Sequence, residues 1–311
     1  MSFDLTDTTA SQINALLTRE RHRLGSPAMG MVLTLVIVTD ERAHYDAVRA
    51  ATEAGREHPS RILTVISRGA KGPPRLDAEV RVSEPVPGET VLLRLYGPLG
   101  GHPESVAAPL LVPDTPVVIW WPGQAPAMPA EDPLGALAQR RVTDAASAGR
   151  PTTALVERAR GYRPGDTDLS WTRLTPWRSL LAASLDGPHD EITGGSVAAA
   201  KHNPSAEMLT AWLGLRLGVP VERTVSRGPG ITAVRIGLDK GEIAVTRPDG
   251  RVATLSLPGQ PGRQVALHRR STSELLAEEL RRLDPDEVYA ETVRRTADDL
   301  TAGAESVRSG S

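Results

Sequence analysis

Val32-Leu-Thr-Leu-Val-Ile-Val38, followed at once by Thr39-Asp40-Glu41, is the stretch that decides the fold. A strand with one wet face alternates apolar and polar residues. This run is almost continuously aliphatic and β-branched, the pattern of a strand covered on both faces in a parallel sheet with helices above and below it. Asp40 is placed to cap a helix running to about His58. Upstream, Thr9 and Gln12 have the spacing of a capping box, and Ile13, Leu16 and Leu17 share one face of the helix it opens. Downstream, Arg61 to Ser67, Ala78 to Val82, Val91 to Tyr96 and Pro116 to Trp121 read as further strands, with a helix at Gly101 to Leu111. Helix and strand in alternation predict an α/β domain with a mainly parallel sheet flanked by helices, Rossmann-like in outline.

Beyond the last of these strands the pattern changes. Trp121 to Pro133 carries too many prolines for a helix or a central strand and reads as a rigid surface loop. Helices are expected at Pro151 to Arg160 and at Pro176 to Leu185, the second with Thr175 as its cap. Asp186 to Gly195 is rich in Gly, Asp and Pro and reads as a linker. After it come a short strand at Ser196 to Ala200 and a helix opened by Asn203-Pro204. Strands at Val221 to Ser226, Thr232 to Leu238, Glu242 to Thr246, Val252 to Leu257 and Gln264 to His268 are separated by turn signals such as Asp239-Lys240-Gly241, the signature of an antiparallel meander. Ser271 with Glu274, and Asp284-Pro285 with Glu287, open two closing helices. The expected organisation is an α/β domain over 1–185, a linker over 186–195, an α+β domain over 196–301 and a flexible tail over 302–311.

Composition narrows the function. The 311 residues are 40% hydrophobic, and 36 basic against 38 acidic residues give a net charge of -2, so no overall positive field gathers nucleic acid or an anionic membrane. Cysteine is absent, which removes disulfides, thiolate nucleophiles and cysteine-ligated metals. The first ten residues lack the basic and apolar regions of a secretory signal, and a cytoplasmic protein is expected. The histidines at 22, 44, 58, 102, 189, 202 and 268 show no metal-ligand spacing, so no metal is expected.

Catalytic and cofactor signals are equally weak. A dinucleotide site needs a glycine-rich turn after the first strand, whereas Asp40 and Glu41 stand there, and no cofactor is expected. Ser196 in Gly194-Gly-Ser-Val-Ala198 lacks the strand-turn-helix setting of a nucleophile elbow. Gly97-Pro-Leu-Gly-Gly101 offers the better glycine loop. With Arg94 or with Arg140 and Arg141 it is the basis of an alternative function, an enzyme or a sensor of sugar phosphates or nucleotides.

One segment stands apart. Residues 161–178 hold two Trp, one Tyr, three Arg and two Asp in a chain only 3% aromatic. Trp and Arg often dominate protein-protein contacts, which nominates Tyr162, Arg163, Asp166, Asp168, Trp171, Arg173, Trp177 and Arg178 as a partner interface, with Trp120 and Trp121 as the next candidates. The alternative is an ordered loop whose Trp rings fill the core and whose Asp166 and Asp168 cap turns or pair with Arg163 and Arg173. Base stacking of single-stranded nucleic acid on the same rings would need a local basic groove.

The blocks VLTLVIVTD (32–40), REHPSRI (56–62), RLYGPL (94–99), WWPG (120–123), LAQRRVTD (137–144) and, above all, YRPGDTDLSWTRLTPWR (162–178) resemble the OpcA family of glucose-6-phosphate dehydrogenase assembly proteins in its actinobacterial form. The resemblance runs from about residue 4 to residue 300. It implies a non-catalytic partner that binds the dehydrogenase opening the oxidative pentose phosphate pathway and promotes its assembly and activity, as an allosteric activator with no catalytic residues of its own.

Overall fold

The computed structural model of the chain describes residues 1–24, 31–69, 71–82 and 88–309. Strand β1 (Ser2–Leu5) precedes α1 (Ala10–Leu24), which starts at the expected capping box. The Gln12 side chain accepts from the Thr9 amide at 3.0 Å, and the Thr9 hydroxyl accepts from the Gln12 amide at 3.3 Å. The aliphatic run forms β2 (Leu33–Thr39). After it come α2 (His44–Ala54), β3 (Ser60–Arg68), β4 (Arg75–Val82) and β5 (Glu89–Tyr96). A short helix α3 (Pro103–Ala107) leads to β6 (Val117–Trp120) and β7 (Arg140–Thr143), then to α4 (Pro151–Arg160) and β8 (Asp166–Asp168).

These strands make one eight-stranded sheet in the order β1-β4-β5-β3-β2-β6-β7-β8. The pairs β5/β3, β3/β2, β2/β6 and β6/β7 are parallel, and β1 and β4 add antiparallel pairings at one edge. From β2 the chain builds outward through β3 and β5, then returns beside β2 at β6, which is a doubly wound order with its switch point between β2 and β6. Leu35, Ile37, Leu63 and Leu93 are fully buried, as their unbroken apolar runs require.

Strands β7 and β8 escape a search for apolar runs, because they are built on charge. Arg140 and Arg141, both buried within β7, are neutralised by Glu279 at 2.5 Å and by Asp166. A guanidinium can occupy a strand interior when a carboxylate meets it there.

The second half opens with α5 (Leu169–Thr172) and α6 (Thr175–Ser184). Thr175 lies inside α6, whose capping position is Leu174, so the expected threonine cap is corrected by one residue. Strand β9 (Ile192–Ala199) begins within the expected linker. Then come α7 (Pro204–Leu217), β10 (Val221–Val225), β11 (Ile231–Leu238), β12 (Gly241–Thr246), β13 (Val252–Ser256) and β14 (Arg263–Ala266). The Asn203 side chain caps α7, accepting from the Ala206 amide at 3.0 Å. The six-stranded sheet runs β10-β9-β11-β12-β13-β14, an antiparallel meander with β10 parallel to β9 at its edge. Helices α8 (Thr272–Arg281) and α9 (Glu287–Ser309) close the chain, and α9 continues through 302–309, where the sequence predicts a tail.

Two compact units result, and the chain passes between them several times. One comprises 1–144, 161–167 and 272–285, and the other 145–160, 168–271 and 286–311. The expected boundary at 186–195 lies inside the second unit, because α4 packs along α9 and α5 packs on α7.

Candidate functional site

The aromatic-rich segment is held by its acidic residues. In the first unit, the Asp166 carboxylate accepts from the Arg141 guanidinium and, at 2.8 Å, from the Arg163 amide. Burial pushes its carboxyl above the usual range, and Arg141 opposes that shift. Gly165 has φ +95°, and a Cβ there would lie 2.4 Å from the Gln139 carbonyl oxygen, so the turn admits only glycine. In the second unit, Asp168 is fully buried and caps α5 by accepting from the Ser170 amide at 2.9 Å. It also accepts from the Ala145 amide at 2.9 Å and pairs with Arg158 at 3.1 Å.

The Trp rings serve packing as well. Trp171 Nε1 donates to Asp286 Oδ2 at 2.9 Å, and the Arg178 guanidinium lies 3.7 Å over the same ring. Arg247 covers Trp177 at 4.9 Å. Trp121 is packed in the hydrophobic core of the first unit, and Trp120 is buried in β6. Thus Tyr162, Asp166, Asp168, Trp120, Trp121, Trp171 and Trp177 all face the interior, and the packing alternative describes their side chains. The pairing differs in detail from that alternative, with Arg141 and Arg158 as the partners in place of Arg163 and Arg173. Of the nominated residues, Arg163 is exposed, and Arg173 and Arg178 are partly exposed.

The switch point of the eight-stranded sheet presents acid. Asp40 accepts from the amides of Arg42 and Ala43 at 2.8 and 2.9 Å, and these bonds hold its carboxyl below the usual carboxylate range. Glu41 receives Arg94 at 3.1 Å and Arg68 at 2.9 Å, and the Arg94 bond holds its carboxyl down too. Carboxylates thus stand where a pyrophosphate would need amides.

The alternative glycine loop forms a single 3-10 turn at Gly97–Gly101. Gly97 has φ +58°, and a Cβ there would meet the Gly72 carbonyl oxygen at 2.6 Å, so its glycine answers to backbone packing. The arginines offered to it are engaged elsewhere, Arg94 by Glu41, Arg140 by Glu279 and Arg141 by Asp166.

Two recesses among the described residues differ in charge. A groove of about 500 Å³ in the first unit is lined by both acids and bases, among them Asp46 and Arg49, paired at 2.8 Å, and Glu79 and Arg81, paired at 2.5 Å. A smaller cavity of about 100 Å³ in the second unit is lined by Arg173, Trp177, Arg247, Arg269 and Arg270, with no carboxylate among the described residues of its wall. Sequence alone does not reveal this cavity, since its residues come from five separate stretches between 173 and 270. The tandem Arg269-Arg270 after His268 is the one local signal for it. Among the described residues, no group of three or more His, Asp or Glu side chains is placed to hold a metal ion, and no helix is long and apolar enough to cross a membrane.

The fold defines a class, an α/β protein with a doubly wound sheet, acidic at its switch point, and a second mostly antiparallel sheet. Two family matches make the assignment particular. Residues 51–160 match the N-terminal domain of the family described as a glucose-6-phosphate dehydrogenase subunit, and residues 164–293 match the C-terminal domain of the same family. The chain belongs to this family, OpcA.

No curated protein matches the chain by sequence. Among solved structures, it is similar to a 3-ketoreductase from Actinomadura kijaniata, at 14% identity and a TM-score of 0.47, over 85% of this chain and 94% of that one. A dehydrogenase from Clostridium difficile is similar at 6% identity and a TM-score of 0.46, over 88% and 99%. An NAD binding oxidoreductase from Klebsiella pneumoniae is similar at 11% identity and a TM-score of 0.44, over 87% and 95%.

Proposed function

We propose that the chain is a non-catalytic subunit that binds glucose-6-phosphate dehydrogenase in the cytoplasm and promotes its active oligomer as an allosteric activator. The observation that carries this reading is the pair of consecutive family matches, both described as domains of a subunit of that dehydrogenase and together spanning residues 51 to 293. The acidic switch point and the engaged arginines of the glycine loop agree with a role outside catalysis. Within the aromatic-rich segment, Arg163, Arg173 and Arg178 are the side chains offered to the partner, with Trp171 and Trp177 holding the backbone beneath them.

The test is reconstitution. Purified chain is added to purified dehydrogenase, and the initial rate of NADP reduction is read together with the particle mass by light scattering. A heavier particle with a raised rate is expected. If the two proteins elute separately and the rate is unchanged, the reading falls. Dehydrogenase turnover by the chain alone, abolished by one substitution in it, would overturn the non-catalytic assignment.

A further inference from the structure

Five arginines are buried among the described residues, and four of them meet a carboxylate. Arg61 pairs with Glu89 at 2.7 Å, Arg140 with Glu279 at 2.5 Å, Arg141 with Asp166, and Arg158 with Asp168 at 3.1 Å. Arg247 is the exception. It is 5% exposed, donates to the Leu267 and Ile231 carbonyl oxygens at 2.7 and 3.2 Å, and leaves Nε without a partner. No carboxylate among the described residues lies within ion-pair distance of it. Asp249 is the nearby acid, and its carboxylate is taken up by the amides of Arg251 and Val252 at 2.9 and 3.4 Å.

A buried guanidinium keeps its proton, so its charge must be compensated by other means. Here the surroundings add to that charge. Burial and the neighbouring Arg269 both push the Arg247 guanidinium below its usual range, as a site crowded with cations does. Arg269 is exposed, lines the same cavity and has no ion pair among the described residues. Arg173 and Arg270 line it too, and Arg270 also donates to the Thr172 carbonyl oxygen. The wall further takes in Pro176 and Trp177 from the first turn of α6, and Asn203 and Ser205 from the start of α7. Helix N-termini carry partial positive charge, which adds to the field of the guanidiniums.

The occupant that would balance Arg247 and Arg269 is a compact, multiply charged anion. We propose that the cavity in the second unit, between Arg247, Arg269 and Trp177, binds the phosphoryl group of a small phosphate ester. A cavity of about 100 Å³ has room for several waters, which is enough for a compact phosphoryl group. Guanidinium forks match phosphate oxygens in geometry, and Trp177, already covered by Arg247, forms an apolar flank for the ester carbon. This inference does not depend on binding to the dehydrogenase.

The experiment is calorimetric titration of the full chain with inorganic phosphate and, separately, with glucose 6-phosphate, at an ionic strength held constant with potassium chloride. Saturable binding of at least one probe is expected. Tighter binding of the hexose phosphate identifies an ester site, and equal affinities identify the phosphoryl group alone as the ligand. Arg269→Ala should weaken binding roughly tenfold or more while melting like the parent, and Arg269→Lys should restore part of the loss. Absence of saturable heat with both probes overturns the proposal. So does binding that is unchanged in both Arg269→Ala and Arg247→Lys.

Discussion

Asp168 is fully buried, and its carboxylate receives two backbone amides and the Arg158 guanidinium. Such a residue is held by everything around it, and removing it strands its partners. Asp168→Ala would leave a buried cation unpaired, a change that costs about 3–5 kcal/mol. Arg163→Ala is the contrasting case. Its contact with Glu131, at 3.5 Å between two exposed side chains, is worth less than about 1 kcal/mol. Urea denaturation of the two variants should therefore show a large loss of stability for the first and little for the second. Equal stabilities would mean that Asp168 does not hold α5 to its surroundings as described.

At the scale of elements, Gly165 decides whether β7 and the start of β8 can lie together. Its carbonyl oxygen accepts from the Arg141 amide at 2.9 Å, and its positive φ brings the backbone within reach of Gln139. Gly165→Ala forces either a strained backbone or a displaced strand and should cost at least about 1–3 kcal/mol, read as a lowered melting temperature. A parent-like melting curve would show that the turn relaxes freely. Elements built on apolar runs or side-chain caps are legible in the sequence: β2, α1 with its Thr9–Gln12 box, and α7 with Asn203. Strands β7 and β8 are not legible, because Arg140, Arg141, Asp166 and Asp168 look like surface residues until the fold brings each its opposite charge. The Trp rings are legible as unusual and misleading as to place, since density of aromatics marks a core as readily as an interface. Apart from the Arg269-Arg270 tandem, the cavity around Arg247 is not legible in the sequence, for what distinguishes that arginine is the absence of an acid contributed from elsewhere in the described chain.

For the whole molecule, residues 186–191 are exposed and free of helix and strand, and both their flanks belong to the same compact unit. On one side lie α5 and α6; on the other, β9 is paired with both β10 and β11. Contacts cross the gap: Ser205 Oγ donates to the Ser170 carbonyl oxygen at 2.8 Å, Trp171 Nε1 to Asp286 at 2.9 Å, and Arg270 to the Thr172 carbonyl oxygen. A glutamyl endopeptidase, which meets Asp186, Asp190 and Glu191 in this stretch, should cut here first, because exposed backbone without ladder or helix bonds enters a protease cleft at least cost. The severed chain should nevertheless stay together, giving two bands on a denaturing gel and one peak at the parent's position on size exclusion. A linker between two independent domains over 1–185 and 196–301 would behave otherwise, releasing two folded halves that elute separately. The same digestion thus decides between a single boundary at 186–195 and a chain that interleaves its two units. First cleavage inside β2 would contradict both arrangements, since Leu33 to Ile37 are buried in a strand paired on each side.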